Sequence, residues 1–342
     1  MKKISIVGCG RIFNKHYNSI NNLKDYFVIS GVFDLDKKKN QLASKKTSTK
    51  QFKSLDEMIN SSKPDIIVIL VESGNHLKIC KKIVLKHKIK NFIIEKPLDV
   101  SVEKIKKFKK FINGKNINIF TVKQNRFNKA IVKAKRIINQ DLIGGIFMIS
   151  ASCKWKRDQQ YYNLDNWRGT KKLDGGVLMN QAIHHIDLLV HLVGDIKSVM
   201  GYGNKKFVKM ESENIAVAVL KFKSGCLGVV EATTASSPED FEGSITIMGS
   251  KGTMKIGGFA SNKLEFFKNK SNTKIDLNKY SNQIENVYGH GHLEFYRFIK
   301  FFLKNKNRNK KNPFDINSSI KSVQVVESIY SSFKTKKEKK IE

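Results

Sequence analysis

The chain has 342 residues, 40% of them hydrophobic, which suits an ordered globular protein with room for two domains and argues against disorder. Its formal charge of +34 comes from lysines spread along the whole length with no aromatic-interleaved basic motif. A basic surface that draws in an anionic small substrate is therefore expected, and nucleic acid is not. No apolar run reaches the roughly 18–20 residues of a membrane span, and the N-terminus enters a strand without leader-like features. Four scattered cysteines show neither metal-ligand nor disulfide spacing. The expectation is a cytoplasmic protein with no metal and no membrane association.

Residues 3–122 alternate short apolar strands (3–7, 27–33, 66–70, 92–94 and 117–121) with amphipathic helical stretches (16–23, 55–60, 76–87 and 102–112). Ser54 with Glu57 three residues on gives a capping box for the second helix. Near-continuous apolar strands between helices predict a doubly wound parallel sheet with both faces covered. From about residue 126 the pattern changes. A helix over 128–140 leads to a strand over 146–155, and 176–192 reads as one helix. Strands then dominate (196–203, 214–222, 226–233, 244–248 and 253–256), with Gly249-Ser250-Lys251-Gly252 as a hairpin turn. Helices over 292–303 and 316–333 precede a lysine-rich tail. The fold class expected is α/β: a Rossmann domain over 1–122, then an α+β domain over 123–342 with a largely antiparallel open sheet and C-terminal helices.

Three clusters carry chemistry. Gly8-Cys9-Gly10 follows a strand: Gly8 permits the tight turn, and Gly10 lets the backbone approach a pyrophosphate at a helix N-terminus. The third glycine of the usual fingerprint is replaced by Phe13. Asp34 ends the second strand, where its carboxylate accepts from an adenosine ribose and repels a 2′-phosphate, so NAD is favoured over NADP. Glu95-Lys96-Pro97 leaves the fourth strand at the edge facing the ligand crevice, where Lys96 can hold a sugar hydroxyl and stabilise a developing alkoxide. On the 176–192 helix, Asn180, His184 and Asp187 share a face at i, i+4, i+7 spacing, with His185 turned aside. A neutral imidazole there takes an alcohol proton. His185 and His191 read as core or surface residues. Together the clusters point to a nicotinamide-dependent enzyme acting on an alcohol carbon.

Over essentially its whole length the sequence resembles the glucose–fructose oxidoreductase/inositol dehydrogenase/MocA (Gfo/Idh/MocA) family. The glycine turn with His16, Ser73–His76, the Glu95-Lys96-Pro97 triplet and the 176–187 segment occur in family order. The resemblance implies catalysis by Lys96 and His184, and cofactor contacts from Gly8, Gly10, Arg11, Ile12, Asp34, His76, Glu95 and Lys96. It also implies a homo-oligomer, dimer or tetramer, formed through the open sheet. The runs Tyr161-Tyr162, Trp167-Arg168-Gly169-Thr170, Asp174-Gly175-Gly176 and Met179-Asn180-Gln181, with Tyr288-Gly289-His290-Gly291-His292, are similar to UDP-N-acetylglucosaminuronate 3-dehydrogenases of surface-polysaccharide synthesis. That narrower likeness implies a nucleotide-sugar substrate held by Lys96, Trp167, Arg168, Asn180 and His184, with Arg168 suited to a carboxylate or phosphate. An inositol or free-sugar dehydrogenase is the alternative, and a non-catalytic nucleotide-binding regulator is the alternative of another class.

Overall fold

The computed structural model describes residues 1–281, 291–305 and 311–341. Two compact units are present: 1–122 with 292–320, and 123–291 with 321–342. The change of unit at Val122 falls where the strand–helix alternation stops. Residues 292–320, expected in the second domain, cluster with the first.

The first unit contains β1 (Lys2–Val7), α1 (Phe13–Asn21), β2 (Phe27–Phe33), α2 (Lys37–Thr47), α3 (Leu55–Ser62), β3 (Ile66–Ile69), α4 (His76–Lys86), β4 (Asn91–Ile94), α5 (Val102–Ile112) and β5 (Asn118–Thr121). Its five strands pair in parallel in the order β2-β1-β3-β4-β5. All four residues of β3 are buried, the mark of a strand covered on both faces. Chain order reverses between β1 and β3, which is where open parallel sheets bind ligands beyond their strand ends. Ser54 Oγ accepts from the Glu57 amide at 3.0 Å, as the capping box requires. The Glu57 carboxylate reaches one residue further back and accepts from Lys53 N at 2.7 Å.

The second unit contains α6 (Lys129–Asn139), β6 (Ile146–Lys154), α7 (Gln159–Asn163), α8 (Ile183–Val193), β7 (Ile196–Asn204), β8 (Ile215–Phe222), β9 (Leu227–Thr233), β10 (Glu242–Gly249), β11 (Gly252–Gly257) and β12 (Lys263–Asn269). After α9 (Gly291–Lys304) and α10 (Ile316–Thr335), the short β13 (Lys339–Lys340) closes one edge. The eight-stranded sheet runs β12-β11-β10-β6-β9-β8-β7-β13 and is antiparallel except for the β6–β9 pair. In β8 buried and exposed residues alternate strictly, so one face is packed and the other open. Register places Met248, Met148, Leu227, Val219, Val217 and Tyr202 on that open face, each more than a third exposed. Among the described residues no helix is long and apolar enough to cross a membrane.

The 176–192 segment is not one helix. Val177–Gln181 form a π turn, closed by Ala182 N donating to Val177 O at 2.8 Å, and α8 starts only at Ile183. The wider turn follows from Gly176, which has φ +98° and lies so close to Glu213 that a Cβ would stand 2.3 Å from its carboxylate.

Candidate active site

The glycine turn is built as the sequence predicts. Gly8 has φ +94°, and a Cβ there would lie 2.7 Å from the Leu70 carbonyl carbon at the end of β3, so only glycine fits. A Cβ on Gly10 would meet nothing within 4 Å, which leaves that stretch of backbone open to approach. Ile12 precedes α1 without a side-chain cap, and exposed Arg11 lies in the same turn. Phe13 N and Lys15 N donate within the turn, each at 3.0 Å, to Gly10 O and Ile12 O, so what favours an anion here is the positive end of a helix with no acidic side chain in its first turn. Phe13 fills the place of the third glycine and is buried.

Asp34 locks this turn to β2. Its Oδ2 accepts from Cys9 N at 2.6 Å and its Oδ1 from Asp36 N at 2.8 Å. A carboxylate offers about four lone-pair sites, so two backbone donors leave room for ribose hydroxyls. Burial, then the Asp34 charge, pushes the Cys9 thiol up to about 12, so it stays protonated. An open glycine backbone, an uncapped helix start and a free-edged carboxylate fit a dinucleotide.

Glu95-Lys96-Pro97 leaves β4, and Lys96 is half-buried. Glu95 is buried and does not face outward as a direct ligand. Its Oε1 lies 2.9 Å from His16 Nε2 and 3.5 Å from His292 Nε2, while Oε2 accepts from Lys96 N at 3.0 Å. Burial raises its pKa, but the two imidazoles outweigh that and hold the carboxyl well below the usual range. The ring nitrogens of His76 lie 2.8 Å from Pro97 O and 2.9 Å from Val71 O. Both His76 and Glu95, expected as cofactor contacts, thus stand as supports of the loop that carries Lys96.

In the second unit the expected helix face is divided. Asp187 is a buried ion-pair centre rather than a companion of Asn180: Lys123 Nζ donates to it at 2.6 Å, and Arg126 donates through Nε at 2.7 Å and Nη2 at 2.8 Å. Burial raises its pKa, and the two cations overcome this to keep it far below the usual carboxylate value. His184 is half-buried on the first turn of α8, whereas His185 is fully buried against Trp155, ring centroids 5.7 Å apart. Burial pulls His185 down to about 4 and, with Arg126 nearby, His191 also to about 4, so both are neutral near pH 7.

Asn180 belongs to the π turn and enters a connected polar chain. Its amide donates to Asp174, and its Oδ1 accepts from Gln181 at 3.0 Å. Asp174 in turn accepts from Gly169 N at 2.6 Å. Gln181 reaches the Tyr161 hydroxyl at 3.5 Å, which accepts from Arg168 Nη1 at 2.9 Å. The Arg168 guanidinium pairs with Asp165 at 3.0 Å and lies 4.6 Å from the ring centroids of both Tyr161 and Trp167. The group expected to meet a substrate anion is already braced by an internal carboxylate.

Two participants had no sequence signal. Glu213, from the loop before β8, accepts from Leu178 N at 3.0 Å and from the Tyr330 hydroxyl at 2.9 Å. Burial pushes its carboxyl up to about 7 despite those bonds. Of the Tyr288–His292 motif, only Gly291 and His292 lie among the described residues.

Comparison with known proteins agrees with this geometry. Residues 2–123 match the profile described as "Oxidoreductase family, NAD-binding Rossmann fold" and residues 135–342 that described as "Oxidoreductase family, C-terminal alpha/beta domain". The WlbA dehydrogenase of Bordetella pertussis, solved with NADH and UDP-GlcNAcA, is 30% identical with a TM-score of 0.92, covering 100% of this chain and 98% of that one. Its counterpart from Chromobacterium violaceum, solved with the same two molecules, is 29% identical with a TM-score of 0.89, covering 100% and 96%. The myo-inositol 2-dehydrogenase of Thermotoga maritima is 24% identical over 89% of this chain and 87% of its own. With a dinucleotide turn in one unit, an open mixed sheet in the other and both profiles matched in order, the chain belongs to the Gfo/Idh/MocA family of NAD-dependent oxidoreductases.

Proposed function

We propose that this dehydrogenase oxidises the 3-hydroxyl of a UDP-N-acetylhexosaminuronate to a ketone, within surface-polysaccharide (O-antigen) sugar synthesis in the cytoplasm. The observation that supports this reading most is the full-length likeness to WlbA dehydrogenases solved with UDP-GlcNAcA. The roles follow from the side chains. Gly8, Gly10, Arg11, Ile12 and Asp34 bind the dinucleotide, with His76 and Glu95 shaping the loop beside it. When bound, NAD accepts the hydride from the sugar carbon. Lys96 donates a hydrogen bond to the reacting hydroxyl and favours its alkoxide character. His184 takes the hydroxyl proton on a ring nitrogen. Asn180, Trp167 and Arg168 orient the sugar and its anionic groups, with Asp174 and Tyr161 bracing them. The apolar open face of the eight-stranded sheet is the surface for a homo-oligomer, since contiguous exposed apolar residues mark an interaction site.

The myo-inositol dehydrogenase relative favours a second reading, oxidation of a free cyclitol or sugar. Single-turnover NADH formation separates the two. Under the proposal UDP-N-acetylglucosaminuronate reduces bound NAD and myo-inositol does not, and Lys96→Met slows the step by about 10²–10⁴. Reduction by inositol alone discards the nucleotide sugar. An unimpaired Lys96→Met discards the lysine's role.

A further inference from the structure

His16, His292 and Tyr296 have no part in the chemistry above, yet all three are buried beside Glu95. His16 comes from α1, Glu95 from the end of β4, and His292 and Tyr296 from the first turns of α9, all within the first unit. His16 is held at both nitrogens, 2.8 Å from the Tyr296 hydroxyl and 2.9 Å from Glu95 Oε1. The His292 ring meets His16 edge-on with centroids 5.2 Å apart, and its Nε2 lies 3.5 Å from the same carboxylate oxygen. Neither ring nitrogen of His292 has a hydrogen-bond partner among the described residues. An unpaired imidazole in the core costs stability unless its position serves something.

The geometry points to that service: His16 and His292 are positioning residues for Lys96, acting through Glu95. This rests on the role given to Lys96 above. His16 meets Oε1 at hydrogen-bond length and the His292 ring stands 3.5 Å from the same oxygen, both favouring the ionised carboxyl, while Oε2 accepts from the Lys96 amide. A carboxylate without them would take up a proton on burial and lose its fixed rotamer. The Lys96 amide would then lose its fixed acceptor, and the side chain a defined origin. The placement matters because a misplacement of about 1 Å in a reacting group can cost on the order of a hundredfold in rate.

Two imidazole nitrogens and a carboxylate oxygen within 4.8 Å of one another also form a donor set that zinc accepts. The 2.9 Å His16–Glu95 separation favours a proton between them, since that is a direct hydrogen-bond length.

The test compares His292→Gln, which can present an N–H toward Glu95, with His292→Leu, which cannot. His292→Asn, too short to reach Oε1, replaces the leucine variant should that one fail to fold. Amide hydrogen exchange is read on a peptide spanning Lys96, beside the melting temperature, zinc content and single-turnover NADH formation. In His292→Leu the Lys96 amide should exchange about tenfold faster, as expected for one lost charge-assisted hydrogen bond. Hydride transfer should fall by about a hundredfold at unchanged NAD affinity, and His292→Gln should recover most of both. Unchanged exchange in His292→Leu overturns the inference. So does a glutamine variant no better than leucine, with rate losses that only track melting temperature. Stoichiometric zinc in the purified protein overturns it as well, and makes the His16–Glu95–His292 cluster a metal site. Exchange does not depend on the substrate, so inactivity of the unmodified enzyme would count against the functional reading alone.

Discussion

Asp187 is a buried and Glu213 a half-buried carboxylate of the second unit, and their surroundings drive them to opposite protonation states. Asp187 sits between Lys123 and Arg126, which hold it ionised. Glu213 is met by the Leu178 amide and the Tyr330 hydroxyl, both neutral, and burial lifts it to about 7. Desolvation thus leaves a permanent anion in one place and a titrating acid in the other. The deciding factor is whether a cation shares the desolvated space. Asp187 pins α8 to the segment that opens the second unit, while Glu213 supports the first residues of the π turn, ahead of Asn180.

The largest effect expected from breaking this contrast is at Asp187. Asp187→Asn removes the carboxylate that Lys123 and Arg126 share, and loss of one partner from such a desolvated pair costs about 3–5 kcal/mol. Urea unfolding measures it directly. Replacing all three residues by Leu, Met and Met should cost less than the single change, because the two desolvated cations go with the carboxylate. If the triple variant is the less stable, the trio is a net stabiliser and not only a constraint.

Glu213 sharpens the comparison through pH. Its folded pKa of about 7 is raised above the unfolded value, so the native state binds the extra proton. That contribution is fully present below about 4.5 and is lost as pH rises through about 7, a change on the order of 2–3 kcal/mol. The quantity to measure is the unfolding free energy of the wild type minus that of Glu213→Gln, from pH 4.5 to 8. The difference should fall with rising pH. Subtraction also cancels Asp99, which burial lifts to about 6. A flat difference would mean that Glu213 titrates like an ordinary carboxylate and that solvent reaches it. Asp187, with its pKa depressed, keeps its stabilising role across this window and loses it only in strong acid.

The same contrast explains what could be read from the sequence. The parallel sheet was legible because strands such as Ile66–Ile69 are apolar throughout, and the Gly8 turn because it answers a local backbone demand; that Asp34, read as a ribose acceptor, also holds the Cys9 amide 25 residues upstream was not. Helix α2 was not expected: it buries only Asn40, Ala43 and Ser44, so it has no apolar stripe, and Asp36 caps it from outside. The helix face assigned to Asn180, His184 and Asp187 assumed 3.6 residues per turn. The π turn depends on Glu213, more than thirty residues away, pressing on a glycine. Asp187 likewise takes its partners from 61 and 64 residues upstream. Polar pattern within a segment shows where chemistry is available, and the long-range partner decides whether it is free to react.

The smallest effect concerns charges that are not buried at all. The net +34 is carried by lysines that are mostly exposed, and such charges act at a distance with little effect on stability. If they serve an anionic substrate, raising salt from 50 to 500 mM should increase its KM by about three- to tenfold and leave kcat unchanged, because the Debye length falls well below 10 Å. A neutral cyclitol, tested beside it, should show no such change. The internal pairs are shielded: Arg168 with Asp165, and Asp187 with its two cations, sit largely out of solvent and should keep their geometry at either ionic strength. A salt response in kcat would therefore implicate the braced groups themselves. A KM indifferent to salt would leave the lysine excess as a solvated surface with no part in binding.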